Sequence, residues 1–377
     1  MINRKALGYI TANYTCRTRT KLLDERPFAA LPIFGRYRLV DFPLSNMANA
    51  GIKTVGIVMP GNYRALIDHL GSGRDWMLDR KKGGLFMLPG NAFGSSKEGM
   101  CFLLRDIISN KMLFQRSDKP YVVMMGCNII YNLDLAEIIE AHERSGAHAT
   151  MVYAKAERAH DDDVTSLEIG EAGRVKALHP GCCYGDNKFL DCAIINREVL
   201  LQIIDRCGAM DYLDLFHALE PEFGRIDVCS YEFKGLSLGI FDEESYFQRS
   251  MDLLNPALND KLFCPDRPIL TKAHDAPPAK YTNGSVACNS LISAGCAIKG
   301  TVRNSILSRG VVVEHGASVT NSIVMQGVVI KSGARVENAI IDKNNVVPAS
   351  TELRGTPDAT LVVAKAPVIA KKTVIID

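Results

Sequence analysis

Between residues 289 and 341 the chain repeats itself. Asn289-Ser290-Leu291-Ile292 returns as Asn304-Ser305-Ile306-Leu307, as Asn321-Ser322-Ile323-Val324 and as Asn338-Ala339-Ile340-Ile341, at intervals of 15, 17 and 17 residues. Within these intervals a glycine and an aliphatic residue each recur about every six positions: Gly310, Val313, Gly316, Val319, then Gly327, Ile330, Gly333, Val336. Each glycine in a helix interior costs roughly 0.5–1 kcal/mol relative to alanine, so helices do not tolerate that density. A coil of three short strands per turn does, with aliphatic side chains turned inward and small residues at the corners. This is the hexapeptide-repeat pattern of a parallel β-helix. Such a solenoid has exposed faces and ends suited to packing on other chains, so a homo- or hetero-oligomer is expected.

Up to about residue 250 the pattern is different. Ala6–Ile10, Thr54–Met59, Tyr121–Met125, Ala149–Tyr153 and Ala193–Ile195 are apolar, β-branched runs that read as buried strands. Between and after them lie helical stretches at 63–70, 99–114, 135–145, 197–207, 211–219 and 243–254; in the third, Leu135, Ile138, Ile139 and His142 share one face. Strands alternating with helices predict a Rossmann-like α/β domain, its mostly parallel sheet covered on both faces. Ligands in such a domain sit at the carboxyl ends of the strands. Pro256, Pro265, Pro268, Pro277 and Pro278 mark a linker with little regular structure. The expected division is an α/β domain over 1–254, a proline-rich linker over 255–283 and a β-helix domain over 284–377.

Charge and composition exclude several classes. With 44 basic and 42 acidic residues the formal net charge is +2, which gives no reason to expect nucleic acid or a membrane as partner. Met1–Lys5 leads straight into a short strand without a signal-peptide core, and no apolar run reaches the ~18 residues of a membrane span. The 11 cysteines form no CxxC pair, and Cys182-Cys183 are adjacent, so they read as reduced thiols of a cytoplasmic protein. Neither HxxxH nor HExxH occurs, and His160-Asp161-Asp162-Asp163 reads as a solvated acidic loop; no metal site is expected.

The turn after a first α/β strand is the usual place for a phosphate loop, whose glycines let backbone N–H groups approach the anion. Here that turn reads A-N-Y-T-C-R-T-R-T-K, without glycine but with Arg17, Arg19 and Lys21. These three keep positive charge there and are candidates for weak anion binding.

Tyr37-Arg38-Leu39-Val40-Asp41-Phe42-Pro43-Leu44-Ser45-Asn46 closely resembles ADP-glucose pyrophosphorylase, the glucose-1-phosphate adenylyltransferase that supplies glycogen and starch synthesis. The resemblance extends over nearly the whole chain, with Pro277–Tyr281 similar to the family's linker motif. It implies a nucleotidyltransferase domain of GT-A type and a left-handed β-helix. It also implies a site that this chain lacks. The family's GGxGxRL is replaced by the glycine-free loop, and the lysine two residues beyond the arginine matching Arg26 is Phe28. The magnesium aspartate after the glycine matching Gly126 is replaced by Cys127-Asn128, and the second, two positions before Gly239, is Ser237. The nucleotide-contacting G-T-A run is Gly99-Met100-Cys101, and the sugar-phosphate motif E-K-P is Leu178-His179-Pro180.

Six departures together argue against adenylyl transfer, because neither thiol nor hydroxyl replaces a carboxylate toward a hard dication. The foldable pattern persists at every level, which points to a role in interaction. The chain resembles the catalytically silent regulatory subunit of Gram-positive bacteria. That implies the catalytic subunit of ADP-glucose pyrophosphorylase as partner, in a heterotetramer, with magnesium held only by that partner. Arg26 and Arg38 match positions of the family's allosteric anion site. With Arg36 they are candidates for a phosphorylated effector, since guanidinium forks grip phosphate oxygens bidentately. Asp41, among apolar neighbours, is expected to be structural, Asp134 and Asp214 to lie at the surface or cap helices, and Cys127 to be a buried core thiol. Two alternatives stay open: a residual or divergent sugar-phosphate nucleotidyltransferase, and a hexapeptide acyltransferase using His315 as base.

Overall fold

A computed structural model describes residues 5–14, 20–91, 101–157, 160–207, 213–356 and 359–365. Two compact units divide it: Met1–Leu31, Tyr37–Ser245 and Pro256–Ala273 form the first, and Pro32–Arg36, Tyr246–Asn255 and His274–Asp377 the second.

The first unit is built on a nine-stranded sheet. Its strands are β1 (Ala6–Thr11), β2 (Thr54–Met59), β3 (Gly84–Pro89), β4 (Tyr121–Met125), β5 (Ala149–Lys155), β6 (His160–Ile169), β7 (Val175–Cys183), β8 (Asn187–Asn196) and β9 (Val228–Glu232). They lie in the order β7-β6-β8-β4-β1-β2-β3, with β5 also beside β8 and β9 beside β5. The parallel sheet expected from the sequence holds for β3, β2, β1 and β4. Beyond β4 antiparallel pairing enters: β8 runs antiparallel to β4, β5 and β6, and β6 and β7 form an antiparallel hairpin, while β9 pairs parallel with β5. A short turn joins β6 to β7, and strands connected without a crossover helix can pair as an antiparallel hairpin.

All six residues of β1 are buried, as a strand covered on both faces requires. Around it lie α1 (Asp41–Asn49), α2 (Arg64–Leu70), α3 (Leu104–Ser109), α4 (Lys111–Gln115), α5 (Leu135–Ser145), α6 (Arg197–Arg206) and α7 (Leu215–Leu219). Helix α5 spans the residues its periodicity predicts. Leu135, Ile138, Ile139 and His142 face inward, the Asp134 carboxylate accepts from the Glu137 N–H at 3.2 Å, and Gly146 at φ +64° ends the helix.

The expected linker is corrected at its start. Pro256–Leu262 is a helix whose proline stands at the first helical position, where its missing N–H costs no hydrogen bond. Residues through Ala273 belong to the first unit, and the second resumes at His274.

The second unit contains three five-stranded parallel sheets, the faces of the expected left-handed β-helix. Ile298, Val313, Ile330 and Val347 stack inside one face, Val302, Val319 and Val336 inside the next, and Leu307, Val324 and Ile341 inside the third. The repeated asparagines form a ladder. Asn289 Nδ2 donates to Asn304 Oδ1 at 2.7 Å, Asn304 to Asn321 at 2.9 Å, and Asn321 to Asn338 at 2.5 Å. All four adopt positive φ, between +41° and +48°, a region asparagine tolerates better than alanine. Asn321→Ala should therefore cost about 2 kcal/mol in urea unfolding, from two lost ladder bonds and backbone strain. Asn321→Gly, which relieves the strain but not the lost bonds, should cost less.

Candidate functional site

The carboxyl ends of β1 and β4 are where an α/β domain would place its ligand. At the end of β1, the Asn13 side chain donates to Asn91 O at 3.0 Å and to Asp106 Oδ2 at 2.8 Å; Asp106 Oδ1 accepts from Asn91 N–H at 2.7 Å. Burial raises the Asp106 carboxyl above its usual range, against the pull of these two donors. The polar groups here satisfy one another. Tyr14 and Phe28 are both buried and meet edge to face, ring centres 5.2 Å apart. An aromatic ring thus fills the place where the resemblance calls for a lysine. Lys21 is exposed, in a turn capped by the Thr20 hydroxyl, while Arg17, Arg19, Gly99 and Met100 fall outside the described residues.

After β4 the chain enters a fully packed corner. Gly126 N–H donates to Asp191 O at 2.8 Å, Asn128 Nδ2 donates to Asp191 Oδ2 at 2.7 Å, and Asn128 O accepts from Ile240 N–H at 2.8 Å. Cys127 is buried as expected, which pushes its thiol far from ionisation. Asp191 sits at an irregularity in the β8–β5 pairing with φ +46°. Burial raises its carboxyl to about 7, opposed by the Asn128 amide and reinforced by the charge of Asp214. Sequence reasoning passed Asp191 over, although a lone acid inside the apolar run Phe189-Leu190-Asp191-Cys192-Ala193 was a signal.

Asp214 caps α7, as expected, by accepting from Phe216 N–H at 2.8 Å. Its other oxygen accepts from Cys101 N–H at 3.0 Å and Phe102 N–H at 2.6 Å. Ser237 is half-buried, just before Leu238–Gly239, which pairs antiparallel with Ile129–Ile130.

This corner does not fit a magnesium ion. Cys127 and Asn128 present a buried thiol and an inward-turned amide. A Cβ added at Gly126 would lie 2.6 Å from both Asn128 Oδ1 and Cys101 Sγ, so the space is already filled. Among the described residues, no three His, Cys, Asp or Glu side chains gather as ion ligands would. The sugar-phosphate motif has gone too. Leu178 on β7 is buried with its N–H on Glu220 Oε1 at 2.8 Å, and the exposed His179 lies 3.2 Å from Glu168 Oε2.

The arginine candidates differ in setting. Arg26 is buried, Arg36 is exposed and belongs to the second unit, and Arg38 is half-buried with Nη1 donating to Ala65 O at 2.5 Å. Asp41 is structural: fully buried, it accepts from Arg38 N–H at 2.9 Å and lies 2.5 Å from His69 Nε2. His315 is exposed.

The chain is 34% identical over 372 residues to the glycogen biosynthesis protein GlgD of Bacillus subtilis, covering 97% of each. It belongs to the GlgD and glucose-1-phosphate adenylyltransferase family. A second GlgD, from Geobacillus stearothermophilus, is 34% identical with 84% of each chain covered. The glucose-1-phosphate adenylyltransferase of Halalkalibacterium halodurans is 30% identical with 97% covered. The nucleotidyl transferase family model matches residues 22–179, and the GlmU-like C-terminal hexapeptide model residues 277–359. The family and fold expected from the sequence are borne out.

Proposed function

We propose that the chain is a non-catalytic regulatory subunit of glucose-1-phosphate adenylyltransferase in glycogen biosynthesis. It binds the active subunit and tunes the conversion of ATP and glucose 1-phosphate to ADP-glucose. One observation carries this: where the chemistry needs a magnesium carboxylate, Cys127 is a buried thiol and the Asn128 amide is spent on Asp191. Near-full-length similarity to proteins named GlgD supports the same reading. Magnesium then belongs to the partner. Arg26, Arg36 and Arg38, each taken by itself, stay candidate contacts for a phosphorylated effector, with a weaker anion contact at Arg17, Arg19 and Lys21. The residue types suited to phosphate support that part. A cytoplasmic location fits the ten described cysteines, all free thiols.

The purified chain with ATP, glucose 1-phosphate and magnesium should release no pyrophosphate above blank. Added to the catalytic subunit, it should change kcat or KM several-fold. Turnover by the chain alone at ordinary enzyme rates, on the order of 1 s⁻¹ or faster, would support the divergent nucleotidyltransferase instead. No change in the partner's kinetics would also sink the regulatory reading.

A further inference from the structure

A groove on the first unit, of about 410 Å³, takes no part in the site above. Phe86 and Leu88 of β3 form one wall, and Met112, Leu113 and Arg116 on and just after α4 form the other. Gly56 on the neighbouring strand makes the depth possible, since a Cβ there would lie 2.6 Å from Leu113 Cδ2 and 2.7 Å from Leu88 Cδ1. The walls are apolar yet open: Phe86 is 43% exposed and Met112 54%. Exposed apolar side chains grouped around a concave surface mark an interaction site more often than scattered ones do.

What the groove could receive is narrowed by its edge and its charge. Strand β3 ends the sheet and could in principle accept a further strand. That edge is blunted, however. Leu85 N–H is taken by Leu78 O at 3.2 Å, and Pro89 has no N–H. Side-chain insertion is left as the mode of contact. The rim is basic. Asp118 is turned onto Lys119 at 2.8 Å, while the exposed Arg116 has no ion pair among the described residues. Arg80, Lys81 and Lys82 are exposed in the turn leading into β3.

We propose that this groove receives an apolar anchor side chain of the catalytic partner, carried on a segment whose carboxylates face Arg116 and the Arg80–Lys82 turn. The proposal rests on the regulatory reading above. An apolar floor excludes water around the anchor, and the basic rim sets its orientation and speeds encounter.

Binding of the whole chain to the purified catalytic subunit can be followed by calorimetry. Phe86→Glu and Met112→Glu alter exposed positions and should leave the melting curve unchanged while weakening the complex about 30-fold or more. Arg116→Glu should weaken it less and flatten its dependence on salt between 50 and 300 mM. Tyr184→Ser, at a residue 76% exposed and outside the groove, should change nothing. Full affinity in the Phe86 and Met112 variants overturns the groove assignment while leaving the regulatory reading standing. No complex with the unaltered chain overturns both. If the isolated chain sediments as a dimer that Phe86→Glu dissociates, with partner affinity intact, the occupant is a second copy and the proposal fails.

Discussion

Asp214→Ala should lower the unfolding free energy by about 4 kcal/mol, read as the shift of the urea midpoint at constant slope. One buried carboxylate holds three backbone N–H groups, those of Cys101, Phe102 and Phe216. Alanine leaves all three buried without a partner, and each stranded donor costs roughly 1–3 kcal/mol. The same carboxylate joins two stretches of chain whose rings pack edge to face, Phe102 on Phe216 with centres 5.7 Å apart and Phe189 on Phe216 at 5.6 Å. Losing the tie loosens that contact as well. Asp214→Asn keeps one acceptor and should cost less than alanine. A loss under 1 kcal/mol for alanine would show that the three donors find other partners.

A second large effect depends on pH. The Asp191 carboxyl titrates near 7 in the folded chain against about 3.8 ordinarily, so folding takes up a proton between those values. For an acid raised in this way, its contribution is full below about pH 4 and is lost as pH rises to 7. Above pH 7 the folded chain carries a buried charge that the unfolded chain leaves in water. Asparagine carries no charge, keeps an acceptor for Asn128 and tolerates a φ of +46°. Asp191→Asn should therefore gain a few kcal/mol over the unaltered chain between pH 4 and pH 8, since one pKa unit is about 1.4 kcal/mol. Urea midpoints of both forms across that range check it. Parallel curves would mean that Asp191 stays ionised throughout.

Legibility in the sequence followed the range of the forces involved. The asparagine–glycine repeat specified the β-helix because each coil contacts only its neighbours, so local spacing carries the whole architecture. Helix α5 was equally plain, since one apolar face, one cap and one terminal glycine all sit within its own residues. The β6–β7 hairpin escaped notice. Its strands mix buried Val164, Leu167 and Leu178 with exposed Glu168, His179 and Pro180, and no apolar run stands out. At the site, substitutions such as Phe28 and Cys127 were visible as wrong residue types in a familiar frame. What packs around these positions was not visible. Asp191 meets Asn128 from 63 positions away, and Asp214 reaches Cys101 from 113. Arg26, singled out as an anion candidate, proved to be 5% exposed, which no local pattern announces.

The contact between Phe28 and Tyr14 leaves no room for a charged side chain at position 28. Lysine at position 28 would place an ammonium group where a fully buried ring now packs, 5.2 Å from its neighbour. Taking such a charge out of water costs several kcal/mol, against a total stability of about 5–15 kcal/mol. A carboxylate at position 127 would meet the same penalty, in a corner that already holds the buried Asp191 carboxyl. Each substitution toward the residues of the resembled active site would therefore weaken the fold. For a lineage that changes one residue at a time, the filled pocket acts as a ratchet.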